Sequence, residues 1–234
     1  MLSVEELAQM IDHSILLPGQ TDHDLEEGVA IARKYGVKCI VPKPFQMART
    51  RELLAGSAVR LCGTVGFPQG VNRSEVKQLE ARLALDEGAK ELDMVINVSA
   101  LKSGDYDYVQ RDIAGVVEVA ARYGAPVKAI LETCLLTDEE KVKACQIAEA
   151  AGAAFVKTST ATQPGGATAD DIRLMRASVG PNVVVKASGF VTDVDKALVL
   201  YEAGARRFGT GYTVRILEGL REKLARLEAA SKGR

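Results

Sequence analysis

Five times this chain ends a helical stretch on glycine and runs at once into an apolar strand: Tyr35-Gly36-Val37, Glu87-Gly88-Ala89, Tyr123-Gly124-Ala125, Ala151-Gly152-Ala153 and Ala203-Gly204-Ala205. Glycine turns the left-handed corner that closes a helix. The strands do not alternate apolar with polar residues; Val183-Val184-Val185 is the plainest case. That is the pattern of strands covered on both faces, as in a parallel sheet. Eight strand–helix units follow an N-terminal helix, with no linker or low-complexity segment between them. Eight units in 234 residues, close to the ~250 of one closed barrel, favour a (β/α)8 barrel over an open doubly wound sheet. No Gly-x-Gly-x-x-Gly follows the first strand, which counts against a dinucleotide fold. The prediction is one α/β domain over residues 1–234, a (β/α)8 TIM barrel with an extra N-terminal helix.

The punctuation places the elements. Ser3-Val4-Glu5-Glu6 is a capping box, and Thr21 caps a helix running to Tyr35. Strands are predicted at 10–17, 37–41 (stopped by Pro42), 59–65, 91–97, 127–131, 153–157, 183–186 and 205–209. Further helices are predicted from about Phe45 to Ala55, from Ser74 to Gly88, from Asp105 to Tyr123, from Thr137 to Gly152 and from Thr168 to Ser178. Thr192 is expected to cap a helix ending at Gly204, and a last helix runs from about Thr213 to Leu227.

Thirty basic and 31 acidic residues leave a net charge of −1, which gives no sign of nucleic-acid or membrane-surface binding. No apolar run approaches the ~18 residues of a membrane span. The acidic Met1-Leu2-Ser3-Val4-Glu5-Glu6 lacks a signal-peptide layout. Cys39, Cys62, Cys134 and Cys145 are widely spaced and read as free thiols of a cytoplasmic protein. His13 and His23 form no ligand pattern with them, so neither a metal nor a cofactor is expected.

The chemistry is carried by charges inside apolar strands. Phe155-Val156-Lys157 ends in a lysine followed by Thr158-Ser159-Thr160; Val183-Val184-Val185-Lys186 repeats the device on the next strand. Lys128 stands in Val127-Lys128-Ala129-Ile130-Leu131, Asp93 in Leu92-Asp93-Met94-Val95-Ile96, and Asp12 in the first strand. Each alone has a plain explanation, a structural ion pair or a charge reaching solvent from a strand end. Together they are hard to dismiss, because each unpaired charge costs several kcal/mol to desolvate. In a barrel, the site lies at the C-terminal ends of the strands, where Lys157 and Lys186 are both expected. Two neighbouring ammonium groups disfavour each other's charge and lower a lysine pKa toward neutrality. A neutral amine attacks a carbonyl to form a Schiff base, and a carboxylate such as Asp93, with a water or Lys128, moves the protons. This is metal-free aldolase chemistry.

These motifs, with Ile11-Asp12-His13-Ser14, Val65-Gly66-Phe67-Pro68 and Lys186-Ala187-Ser188-Gly189, resemble those of the deoxyribose-phosphate aldolase family, in order and over essentially the whole chain. The resemblance implies a class I aldolase on a (β/α)8 barrel. It would reversibly split 2-deoxyribose 5-phosphate into acetaldehyde and glyceraldehyde 3-phosphate. It implies Lys157 as the Schiff-base lysine, Lys186 as the lysine that lowers its pKa, Asp93 as the proton-transfer acid and Lys128 as its assistant. Substrate contacts are expected at Asp12, Cys39, Thr158, Gly189, Gly209, Thr210 and Gly211. The partners implied are a small aldehyde and a sugar phosphate, with no nucleic acid and no membrane. A homodimer or higher homo-oligomer is the default. The chain departs from the family at the phosphate end. Phe190-Val191-Thr192 follows Gly189 where the family has glycine, a branched apolar residue and arginine; Gly211-Tyr212 stands where paired serines are common. Weakened phosphate recognition is therefore expected. A Schiff-base aldolase for a non-phosphorylated or different aldehyde, and a non-catalytic sugar-phosphate-binding barrel, are the alternatives.

Overall fold

Each of the five helix-closing glycines has a positive φ (Gly36 60°, Gly88 106°, Gly124 64°, Gly152 85°, Gly204 121°) in the computed structural model, which describes residues 2–232. The strands are β1 (Ile11–Ile15), β2 (Cys39–Pro42), β3 (Arg60–Val65), β4 (Glu91–Val95), β5 (Val127–Ile130), β6 (Phe155–Lys157), β7 (Val184–Ser188) and β8 (Arg207–Thr210), and the five glycines lead into β2, β4, β5, β6 and β8. They pair in parallel in chain order and close when β8 pairs with β1. The helices are α1 (Val4–Ala8), α2 (Asp22–Tyr35), α3 (Met47–Leu53), α4 (Ser74–Asp86), α5 (Val98–Lys102), α6 (Tyr106–Ala121), α7 (Asp138–Ala150), α8 (Ala169–Ala177), α9 (Val194–Glu202) and α10 (Thr213–Lys232). This is the predicted (β/α)8 barrel with its extra N-terminal helix. Among the described residues no helix is long and apolar enough to cross a membrane.

The capping boxes at Ser3, Thr21 and Thr137 form as the sequence predicts, each hydroxyl accepting from the N3 amide. Four details differ. The cap of α9 is Asp193, whose carboxylate accepts from Lys196 N; Thr192 instead donates its hydroxyl to Asp193. A carboxylate is the stronger acceptor and complements the helix dipole, so it outcompetes its neighbour. Pro42 is the last residue of β2 rather than the stop before it, since at a strand end its missing N–H breaks no ladder. The helix expected from Phe45 splits into a 3-10 turn, Pro44–Gln46, and α3. The fourth strand stops at Val95, two residues short of its predicted end, and Asn97 caps the unpredicted short α5 by accepting from Ala100 N.

Register sorts the strand residues by face. Outward, Ile11, Ile40, Leu92, Ala129, Val156, Val185 and Phe208 are wholly buried beneath the helices. Burying the larger of them stabilises by about 1.5–3 kcal/mol each. Inward, alternate strands stack side chains in layers, as barrels do. The layer nearest the N-terminal ends holds Cys39, Glu91, Phe155 and Arg207, each the first residue of an even strand. The next holds Asp12, Cys62, Lys128 and Lys186 from the odd strands, and above it come Val41, Asp93, Lys157 and Gly209. The interior that is usually aliphatic is here largely ionic.

Candidate active site

Lys157 closes β6, and its Nζ lies 2.6 Å from Asp93 Oδ2. Lys186 Nζ lies 2.8 Å from the same oxygen, and Lys128 Nζ lies 2.8 Å from Oδ1. The Cys62 thiol, whose pKa burial pushes up to about 12, also donates to Oδ1 at 3.4 Å. One carboxylate thus faces three lysines, all nearly or wholly buried. Parallel pairing makes Lys157 the neighbour of Lys186, and Asp93 the neighbour of Lys128, on adjacent strands. Lys186 is not at a strand terminus as expected but third of five residues in β7. The stagger of the barrel, not its place along its own strand, brings it beside Lys157.

The lower layers decide which lysine keeps its charge. Lys186 Nζ lies 2.5 Å from Asp12 Oδ2, and Lys128 Nζ 3.0 Å from Glu91 Oε2. Burial alone would lower both lysines, but these carboxylates together with Asp93 outweigh it and raise them. Lys157 has no second carboxylate of this kind. Its burial lowers its pKa, Asp93 opposes that, Lys186 reinforces it, and the balance falls below the usual lysine range. Burial works against the charge of Asp93, yet Lys128, Lys157 and Lys186 hold it well below the usual carboxylate range. The arrangement therefore offers an amine shifted toward neutrality, 2.6 Å from a fixed carboxylate. That pairing suits carbonyl addition with proton transfer.

Arg207 anchors the floor of this network. Its Nε lies 2.5 Å from Asp12 Oδ1, and its Nη2 lies 2.6 Å from Glu91 Oε2 and 3.0 Å from Cys39 Sγ. Asp12, Cys39 and Glu91 bring metal-ligand atoms within 4.8 Å of one another, but the Arg207 guanidinium already lies against all three. Cys39 is thus two layers below Lys157 and wholly buried, rather than at the open end where a substrate contact was expected. Asp12 is also wholly buried and lies below the mouth, against Lys186. Thr158 faces outward, and its hydroxyl is spent on β7, donating to Ser188 O at 2.8 Å and accepting from Ser188 N at 3.0 Å.

The remaining predicted residues gather at the mouth. A Cβ on Gly209 would come within 2.7 Å of Ser188 Oγ, so bare backbone there leaves room inside the barrel. Thr210 donates its hydroxyl to Val191 O and accepts from Tyr212 N, which ties the loops after β7 and β8 together. Gly189 and Gly211 lie in those loops. Phe190 sits at φ 55°, a left-handed conformation that glycine adopts without strain, and its ring is 56% exposed. Arg207, Glu91, Cys62, Thr64 and Glu132 were not singled out by sequence reasoning. The signal for the first four was period two: Glu91 with Asp93, Cys62 with Thr64 and Arg207 with Gly209 each share the inner face. Thr64 Oγ1 is buried with no hydrogen-bond partner among the described residues. Glu132, at φ 56° and raised by burial, holds the backbone N–H of Thr160 just beyond Lys157.

A family model described as DeoC/LacD family aldolase matches residues 6–216. A deoxyribose-phosphate aldolase of Thermococcus gammatolerans is 50% identical over 218 residues, covering 92% of this chain and 97% of that protein. One from Enterococcus faecalis is 51% identical over 214 residues, covering 92% and 97%. Among solved structures, a tetrameric deoxyribose phosphate aldolase from Aeropyrum pernix superposes with a TM-score of 0.88 at 35% identity, covering 94% of this chain and 92% of that one.

Proposed function

The chain belongs to the DeoC/LacD family of aldolases, and from that premise we propose that it reversibly cleaves 2-deoxyribose 5-phosphate through a Schiff base on Lys157, as a cytoplasmic homo-oligomer. The amine of Lys157 carries this reading, as the lysine inside the barrel that is held below its usual pKa while Lys128 and Lys186 are raised, in contact with Asp93. Attack of Nζ on the C1 aldehyde gives a carbinolamine, and loss of water gives the iminium. Asp93 and Lys128 relay the protons of these steps. Removal of the C3 hydroxyl proton breaks the C2–C3 bond; its electron pair enters the iminium to form an enamine, and glyceraldehyde 3-phosphate leaves. Protonation at C2 and hydrolysis release acetaldehyde and restore the amine. The deoxyribose-phosphate aldolase names of the relatives support the substrate, and the tetrameric Aeropyrum pernix relative supports assembly. A solution mass above the 25.0 kDa of one chain, by light scattering, checks the assembly.

Lys186 acts by its charge. Because Lys186 lowers the pKa of Lys157, Lys186→Leu removes a repelling cation and leaves Asp93 less compensated, and both changes favour protonated Lys157. The rising limb of the pH–rate profile should move to higher pH. An unchanged limb rejects this role.

A second reading keeps the chemistry and relaxes the phosphate. Phe190 puts an exposed ring where a backbone could approach an anion. The Asp193 carboxylate occupies the N-terminus of α9, the end that attracts anions. Thr192 spends its hydroxyl on Asp193, and Tyr212 is 53% exposed. Against this, α10 still begins at the same corner, at Thr213. The expected result is a modest preference in kcat/KM for 2-deoxyribose 5-phosphate over 2-deoxyribose, increased about tenfold in Phe190→Gly, the worth of one charge-assisted hydrogen bond. A strong preference in the unmodified protein with no gain in the variant rejects the weakened phosphate site. No cleavage of either sugar rejects the proposed activity.

A further inference from the structure

At the end of the barrel opposite Lys157, the loops leading into β3, β4 and β5 line an open cavity of about 550 Å³. Conserving a barrel's shape gives that face no reason to be basic, yet the charged side chains lining it are Arg51, Arg60 and Lys90, with no acidic side chain among them. Neither Arg51 nor Lys90 has an ion-pair partner among the described residues. Arg60 has one, Glu91, at 3.3 Å. That partner is already committed: Glu91 also holds Lys128 at 3.0 Å and Arg207 at 2.6 Å. Glu91 is thus shared among three cations, and no carboxylate side chain lines the cavity beside Arg60. Val59 and Leu61 are buried behind it. At the rim the Tyr123 ring is 45% exposed and is fixed by its hydroxyl, which donates to Asp86 Oδ1 at 2.6 Å. The volume falls within the ~300–1,000 Å³ of small-molecule sites.

We infer that this cavity binds a phosphate-bearing small molecule, with Arg51, Arg60 and Lys90 on the phosphate. Two guanidinium groups and an ammonium suit phosphate oxygens, since guanidinium offers paired donors and is weakly hydrated. The site is separate from the substrate's phosphate end, which the loops after β7 and β8 would hold at the opposite face.

Titration calorimetry on the full chain tests this with two probes, tripolyphosphate and AMP. The first offers the anion alone and the second a phosphate beside a flat ring. Saturable binding of at least one probe is expected, weakened on the order of tenfold or more in R51Q/K90Q, as loss of two charge-assisted contacts requires. Both residues are exposed, so the variant should fold; K90Q alone, expected to weaken binding less, guards against a failure of the double variant. Tighter binding of AMP would assign the Tyr123 rim to a ring, and equal or tighter binding of tripolyphosphate would assign the site to phosphate alone. Absence of saturable binding by both probes, or affinity unchanged in the variants, overturns the inference.

Discussion

Lys157→Ala is expected to lose aldolase activity by roughly 10⁴–10⁶-fold, the scale seen when a covalent nucleophile is removed. Lys128 and Lys186 cannot substitute. Each is bound to a carboxylate besides Asp93 and is raised above the usual lysine range, so at neutral pH each lacks the lone pair that adds to a carbonyl. Lys157 also closes its strand at the open end of the barrel, whereas the other two lie a layer deeper and are wholly buried. Incubation with acetaldehyde and borohydride should therefore add one ethyl group per chain. Peptide mapping should find it on Lys157, and the alanine variant should take up none. Label on Lys186 would reverse the two assignments. Absence of any adduct would remove the Schiff base from the mechanism.

Asp93→Asn should slow turnover by about 10²–10⁴-fold at the pH optimum, the usual contribution of a positioned acid–base group. The same change should move the rising limb of the pH profile to lower pH. Asp93 raises the pKa of Lys157, and removing its negative charge makes the neutral amine easier to reach. The shift is thus opposite in sign to that of Lys186→Leu, which a purely structural disturbance would not produce. The variant should fold, with a lower melting temperature, because three lysines lose a shared anion; breaking a buried pair typically costs about 3–5 kcal/mol. Part of that cost is avoided as Lys157 deprotonates. Near-normal turnover in a folded Asp93→Asn would leave Asp93 as an ion-pair partner only.

The two variants probe residues that were legible for different reasons. Lys157 stood out because a lysine after Ala153-Ala154-Phe155-Val156 breaks an apolar run at a strand end. Asp93 and Lys128 stood out as charges inside such runs. Arg207 and Glu91 did not, although they complete the same network: Glu91 opens its strand, where a charge is unremarkable, and Arg207 follows a second arginine, Arg206, so it does not break an apolar run. Cys39 and Thr158 were expected at the substrate and are occupied elsewhere, one against Arg207 and the other across β7. Residue type and position along a strand carry no information about how high a side chain stands in a barrel, since strand stagger sets that height.

Local rules were enough for the path of the chain. Gly36, Gly88, Gly124, Gly152 and Gly204 close helices by a conformation that glycine reaches without strain, and the unalternating strands demand cover on both faces. Eight such units in 234 residues leave few architectures other than a barrel. Those constraints act between residues close in sequence, or on a whole strand at once, so the sequence by itself determined the fold and the strands bearing the reactive groups. The tertiary structure alone decided the protonation balance. Asp12, Glu91, Asp93, Lys128, Lys186 and Arg207 come from five different strands, and their contacts follow from closure and stagger. Buried charges interact over a few ångströms in a weakly screening interior. Which lysine is left without a second carboxylate is therefore settled by three-dimensional distance, and in this barrel it is Lys157.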